Sequence, residues 1–249
     1  MSDTKVFFAS DEDQKMIQAY QKAQETFKYF WRELSWENRR IVPALDIACV
    51  KVAFVQEIDG ESVVEHMWIN DIDFDGENIT GILINDPNIL TNVNNGDEVE
   101  IPLNQISDWL FSDGEKAYGG FTIQAMRSEM DEKEREEHDA AWGLDFGDYN
   151  NIFVVFNQNE KPENLVEHPM SINMRESLIG FLNENPTELT NKDDFGYTLL
   201  HKEAIAGNKT TVEVLLQSGA DKNEKTNNGK TAHDFAQQLQ WEHLITLLK

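Results

Sequence analysis

Several residue groups in this chain have types and spacings that could do chemistry. The run Asp71-Ile72-Asp73-Phe74-Asp75-Gly76 sets alternating carboxylates ahead of a glycine. Calcium loops open in this way, with oxygens converging on one cation and glycine allowing a sharp turn. The twelfth position of such a loop needs a bidentate glutamate, and this chain has Ile82 there. On a strand, Asp71, Asp73 and Asp75 share a solvated face while Ile72 and Phe74 point inward, so no metal site is expected. His66 with Trp68 and Asp108 with Trp109 form a second group, because an imidazole and a carboxylate are the minimum parts for acid–base work. With Asn85, Gly119 and Gly120 they would have to line one pocket, and nothing in their spacing shows that they converge. Cys49 sits in the apolar stretch Ile47-Ala48-Cys49-Val50 without an electropositive neighbour, which predicts a buried, reduced thiol rather than a nucleophile.

The remaining chemical signatures are missing. The six histidines and one cysteine show no zinc spacing. There is no nucleophile elbow, P-loop or dinucleotide fingerprint. No catalytic residue and no cofactor are therefore expected. Charge is more informative: the formal net charge is −25, and residues 51–150 hold 24 Asp+Glu against 5 Lys+Arg. Residues 201–249 hold 6 of each sign. An acidic field repels phosphate backbones, which argues against a nucleic-acid partner. It serves either as a solvated surface that maintains solubility or as a face that meets a basic partner and speeds encounter. No apolar run approaches the ~20 residues that span a bilayer, and Met-Ser-Asp-Thr-Lys does not read as a secretory signal. A cytoplasmic protein without a membrane partner is expected.

The elements that would position these residues follow from periodicity. In residues 11–33, Met16, Ile17, Tyr20, Phe27, Phe30, Trp31 and, just beyond, Leu34 recur at helical spacing. Residues 48–56 and 63–74 are rich in β-branched and aromatic side chains with Asp59-Gly60 between them, and Asp75-Gly76 leads into a second hairpin with 78–84. Residues 99–103, containing Pro102, predict an edge strand. Further strands are predicted over 118–126, entered through Gly119-Gly120, and over 152–156. Residues 128–142 predict a charged helix with Glu129/Lys133 and Asp131/Arg135 at i,i+4 spacing. Helix, antiparallel strands and helix make an α+β layout.

A repeat occupies the last part of the chain. Gly196-Tyr197-Thr198-Leu199-Leu200-His201 is matched 33 residues later by Gly229-Lys230-Thr231-Ala232-His233-Asp234. Val212 and Leu215 recur as Ile245 and Leu248, and Ile179 and Leu182 precede them by the same step. With Gly219-Ala220-Asp221-x-Asn223 after the second helix, the pattern closely resembles the ankyrin repeat, and the resemblance implies protein binding. Thr198 and His201 suit the turn into the first helix, and Gly207 its end. Leu199 replaces the usual proline, and Glu203 stands where a small alanine is common. Residues 172–193 look like the second helix of an earlier repeat, for about two and a half repeats where stacks need about three. The array is thus expected to dock on, or be capped by, the rest of the chain.

The order of motifs upstream is also recognisable. Glu65-His66-x-Trp68, Ile79-Thr80-Gly81-x-Leu83, Asn85-Asp86-Pro87, Gly96-Asp97-x-Val99, Ile106-x-Asp108-Trp109 and Gly119-Gly120-Phe121-Thr122 together resemble the DUF2314 family across residues 10–143. The resemblance implies a bacterial source and a fold, and it supplies no catalytic residues.

The expected fold class is α+β, an antiparallel-sheet domain with flanking helices, plus an all-α ankyrin stack. The expected bounds are an acidic domain over 1–160, a linker over 161–171 and repeats over 172–249. The expected function is protein binding, in its concrete form an immunity protein that neutralises a basic effector toxin, since ankyrin proteins recur as antidotes. Its contacts would be Asp71, Asp73, Asp75, Glu77, Asp97 and Glu98 on hairpin tips, with Asp193, Asp194, Asn227 and Asn228 on loops of the array. The alternatives are an enzyme or small-ligand domain with His66, Trp68, Asn85, Asp108, Gly119 and Gly120 in a pocket, or a scaffold without inhibitory role.

Overall fold

The first helix, α1 (Gln14–Glu37), is built on apolar side chains three and four residues apart. Met16, Ala19, Ala23, Phe27 and Phe30 are buried, the single stripe that a 3.6-residue period produces. Ile17, expected on that stripe, is 37% exposed, because it lies about 100° round the helix from Met16. The structure, a computed structural model, describes residues 14–249, so the part of the expected helix over 11–13 lies outside the described residues. The chain divides into two units: one runs to Phe30 and then covers Ile41–Val154, the other joins Trp31–Arg40 to Val155–Lys249. The last turns of α1 therefore group with the second unit, although the sequence reading placed all of residues 1–160 in one domain.

In the first unit the strands are β1 (Ile47–Ile58), β2 (Glu61–Phe74), β3 (Asn78–Leu83), β4 (Glu98–Pro102), β5 (Ile106–Asp113) and β6 (Lys116–Gly119). Among the described residues they form one six-stranded sheet ordered β4-β3-β2-β1-β5-β6, antiparallel throughout. Asp59 and Gly60 both have positive φ, 53° and 85°, which gives the β1–β2 turn the twist its strands need. Phe27 of α1 meets Phe74 edge-on at 5.1 Å, and Phe30 lies 5.7 Å from Trp109. The Trp109 indole N–H donates to the Ala23 carbonyl at 3.1 Å. Leu110, the next residue, packs with Cys49, Ala117, Ile123, Leu144 and Phe146 in another apolar cluster.

The structure corrects the reading of residues 118–126. Strand β6 ends at Gly119, and Phe121–Arg127 form a helix, α2. Gly119 and Gly120 carry φ of 76° and 68°, and a Cβ on Gly119 would lie 2.4 Å from the Trp109 ring, so only glycine passes here. The apolar run alone does not separate helix from strand. Residues 152–156 likewise form no strand. The Phe153 carbonyl reaches β6, accepting from the Gly119 amide at 2.9 Å, and its ring lies 4.7 Å from the Lys116 ammonium. The charged helix, α3 (Glu132–Trp142), starts later than expected because Asp131 caps it in a reciprocal pair with Glu134. The expected partners are accordingly rearranged: Glu129 pairs with Lys15, and Lys133 with Glu137.

Strand β5 carries Asp108, fully buried, at the foot of α2. Its carboxylate accepts the amides of Phe121 (2.8 Å) and Thr122 (2.7 Å), the Thr122 hydroxyl (2.5 Å) and the Trp109 amide (2.8 Å). The Phe121 and Thr122 amides are the first N–H groups of α2, which have no partner within the helix. Burial pushes the Asp108 carboxyl above its ordinary value, and the Thr122 bonds and Lys51 oppose that rise.

The second unit stacks short helices in pairs: α4 (Pro169–Asn173) with α5 (Arg175–Glu184), α6 (Leu199–Ala206) with α7 (Lys209–Gln217), and α8 (Ala232–Gln238) with α9 (Glu242–Leu248). Helix α5 takes the second-helix position expected within 172–193, and α4, with 5 residues, is an abbreviated first helix. Thr198 and His201 form a reciprocal cap on α6, and Thr231 and Asp234 repeat it on α8. Gly207 ends α6 at φ 73°. Trp241 covers it so closely that a Cβ there would fall 2.3 Å from the indole. Replacing Asp108 by alanine strips several buried N–H and O–H donors of their acceptor, and chemical denaturation should show a loss of about 3 kcal/mol or more.

Candidate binding site

In the second unit, Trp31–Arg40 lies against the repeats through a chain of buried polar contacts. Arg32 donates to the carbonyls of Asn164 and Leu165, and its guanidinium lies 5.2 Å from the centre of the Trp241 ring. Glu33 meets Nε2 of His168 at 2.9 Å. His168 accepts the Met170 amide on Nδ1 at 3.1 Å, which leaves Nε2 as the protonated nitrogen facing Glu33. The His168 ring stacks on Trp36 at 5.7 Å. The Trp36 indole N–H donates to Asn208 Oδ1 (3.0 Å), Asn208 Nδ2 donates to Glu203 Oε2 (2.8 Å), and Glu203 Oε1 pairs with Arg39 (2.8 Å). Glu203 is thus the acceptor around which this segment is organised, which accounts for a carboxylate where ankyrin repeats commonly carry alanine. The stretch 161–171, read from sequence as a linker, carries buried Asn164, His168 and Ser171.

Beside this network lies a cavity of about 500 Å³, open on one side. Trp36, Met170, Met174, Leu178 and Leu199 provide its apolar walls, with Arg39, Arg40 and Lys202 among the lining residues. Sequence reasoning missed it. Its one visible signal was the adjacent pair Arg39-Arg40 in so acidic a chain, and the methionines that complete it belong to a separate stretch of sequence.

The residues expected to contact a partner fall into two groups. Asp71, Asp73, Asp75 and Glu98 are exposed, Glu77 and Asp97 half-buried. Asp73, Thr80 and Glu100 are in register across β2, β3 and β4, so their side chains share one face. Asp75 Oδ1 accepts the amides of Glu77 (2.7 Å) and Asn78 (2.6 Å), and Asp97 Oδ2 accepts that of Asn94 (2.7 Å). These carboxylates therefore shape their own turns. On the array, Asp193 accepts the amides of Phe195 (3.1 Å) and Tyr197 (2.9 Å) and pairs with Lys202 at 2.8 Å. Against the desolvation that raises it, those bonds hold the Asp193 carboxyl below its ordinary value. Asn227 ties successive loops together, donating to the carbonyls of Asp194 and Phe195 at 3.0 Å each. Asp194 and Asn228 remain exposed at the loop tips.

The residues considered for a pocket in the first unit are distributed through the sheet. Trp68, Lys51 and Asp108 stand in register on β2, β1 and β5, and the Lys51 ammonium lies 5.5 Å from the centre of the Trp68 ring. Asn85 Oδ1 accepts the Trp68 amide at 2.6 Å. His66 instead stacks on Tyr20 and bonds to the Ser107 hydroxyl at 2.7 Å. Gly119 and Gly120 lie against Trp109 and Leu110 and set the start of α2. Glu65, in the Glu65-His66-x-Trp68 motif, accepts the amides of Asn88, Ile89 and Leu90. Against desolvation, these bonds hold its carboxyl below the ordinary value. Desolvation, reinforced by Asp108, pushes the Cys49 thiol far above its ordinary value, which keeps it protonated. No helix among the described residues is long and apolar enough to cross a membrane.

A six-stranded antiparallel sheet with helices, followed by a stack of short paired helices at a 33-residue step, defines the class: an α+β domain with an ankyrin-type array. The chain belongs to the DUF2314 family, described as "Uncharacterized protein conserved in bacteria", whose profile matches residues 13–146. It is 49% identical over 249 residues to a protein of Neisseria meningitidis serogroup B named "Putative ankyrin repeat protein", covering 100% of this chain and 98% of that one. It is also 38% identical over 73 residues to "Uncharacterized protein YegJ" of Escherichia coli K12, covering 29% of this chain and 48% of that one. No solved structure matches.

Two outcomes follow from this geometry. Glu203→Ala leaves Arg39 and Asn208 without their buried acceptor, and should cost about 3 kcal/mol in the unfolding of the second unit, followed by urea titration. Desolvation, the leading cause for both, lowers the pKa values of His201 and His243 in the folded chain. The unfolded chain takes up these protons near pH 6.5, so the contribution to stability is held above that pH and lost as pH falls below it. His201→Gln should flatten the decline between about pH 7 and pH 5 in the same titration.

Proposed function

We propose that this protein works by binding another protein, and that its first unit presents an acidic face to a basic partner. The observation that carries the reading is the placement of acid on the sheet. Asp71, Asp73, Asp75, Glu98 and Glu100 are exposed, and Asp73 and Asp75 accept backbone amides. Charge left facing water creates a long-range field, which accelerates encounter with a partner of opposite sign. The ankyrin-type array supports protein recognition by the second unit, and the name of the Neisseria relative agrees with it. The finer reading is an immunity protein, an antidote to a basic effector toxin, because a nuclease-like toxin carries the surface charge that this field would steer.

A non-enzymatic role is part of the proposal. Asp108, the buried carboxylate among the candidate residues, has its oxygens engaged by α2 and by Trp109, as a structural cap requires. Affinity capture of the tagged full chain from its native cell, washed at low and high salt, tests the proposal. A stoichiometric basic protein should be retained at low salt and weakened by high salt. Reversing Asp73, Glu98 and Glu100 to lysine should slow its association at least tenfold at low ionic strength, with far less effect at high salt. An unchanged on-rate would remove the steering role.

A further inference from the structure

We propose that the cavity beside Trp36 is a ligand site for a small amphiphilic carboxylate, an aliphatic chain bearing one anionic head. This goes beyond the protein-binding reading and stands independently of it. The volume, about 500 Å³, lies in the range that holds a drug-sized or medium-chain ligand. The walls of Trp36, Met170, Met174, Leu178 and Leu199 suit an unbranched chain, since thioether and indole surfaces adapt to flexible apolar groups.

The head group follows from how the ion pairs are oriented. Glu203 is 2% exposed while Arg39, its partner, is 38% exposed. Glu33 and Glu37 are 5% and 11% exposed against 30% for Arg40. Lys202 is 52% exposed and its partner Asp193 33%. In each pair the cation is the more exposed partner, so Arg39, Arg40 and Lys202, which line the cavity together with Glu203, are the charged groups nearer water there. Arg39 is held in this position by Glu203 and by the Trp36 ring, whose centre is 4.5 Å from its guanidinium. A guanidinium has five N–H donors, and the Glu203 contact occupies one side of that fork. A carboxylate at the mouth would meet Arg39 and Lys202 while its chain covers the apolar wall. Removing that wall from water supplies affinity at about 25 cal/mol per Å², and the cations select the sign of the head.

The test is calorimetric titration of the full chain with decanoate, acetate and decyltrimethylammonium, alongside the variants Met174→Glu and Lys202→Glu. Both positions are exposed, and circular dichroism with a urea titration checks that each variant is folded. Decanoate should bind at one saturable site, acetate and the cationic amphiphile at least tenfold more weakly. Lys202→Glu should weaken decanoate about tenfold, and Met174→Glu should abolish saturable binding. The proposal is overturned if decanoate shows no saturable binding, if the cationic amphiphile binds equally well, or if both folded variants bind as the original chain does. Should either variant fail to fold, the comparison of the three probes on the unaltered chain decides alone. Loss of decanoate binding leaves capture of a basic protein untouched, so the two readings fail separately.

Discussion

A helical repeat buries its apolar face only against a neighbour, and a short stack therefore has ends that must be covered. In the second unit this constraint organises everything around Glu203. A carboxylate in a first helix of the stack would be costly if it were buried alone. Here it is paired with Arg39 and bonded to Asn208, which in turn holds the Trp36 indole. Arg32, Glu33 and Trp36 bring further contacts to Asn164, His168 and Trp241. The residues between 161 and 173 fold onto this segment, and α4 becomes a first helix of minimal length. An array of abbreviated repeats is completed by a segment more than a hundred residues earlier in the chain.

The same device shapes the chemistry of the surface. Carboxylates placed inward require cations placed outward, so the cavity beside Trp36 acquires positive solvent-facing groups within a strongly acidic protein. On the first unit the arrangement is reversed. Asp75 and Asp97 spend their acceptors on the amides of their own turns, and the charge of the β2–β3–β4 region is left to water. Exposed acid on the edge strand β4, with Pro102 at its end, also discourages that edge from pairing with other strands.

Asp108 shows how one buried polar group directs a fold. It lies on β5, whose residues from Ile106 to Ser112 are all buried, and it receives the first amides of α2. The left-handed pair Gly119-Gly120 turns the chain so that those amides reach it. What reads locally as a continuing strand thus becomes a helix, because the acceptor that stabilises the helix start comes from a neighbouring strand.

Much of the architecture was legible because it rests on local periodicity. Enrichment in β-branched and aromatic side chains marked β1 and β2; Asp59-Gly60 and Asp75-Gly76 marked the turns into β2 and β3, and Pro102 the edge strand β4; the step of 33 residues marked the array and the roles of Thr198, His201 and Gly207. Strand β5 was not legible, since a strand buried on both faces loses its alternation. The conversion of 118–126 into β6 and α2, and the irregular path of 152–156, depended on Asp108 and on packing against Trp109. The acidic residues were visible as charge, but which of them face water and which cap a turn was set by register and by the φ of single residues. The cavity beside Trp36 was beyond the sequence altogether, because its walls come from α1, from the stretch around Met170 and from the repeats. Composition and spacing determined the classes of element and the sign of the field. Tertiary structure alone decided where buried carboxylates find partners, because the cost of burying a charge is relieved only by groups brought close in space.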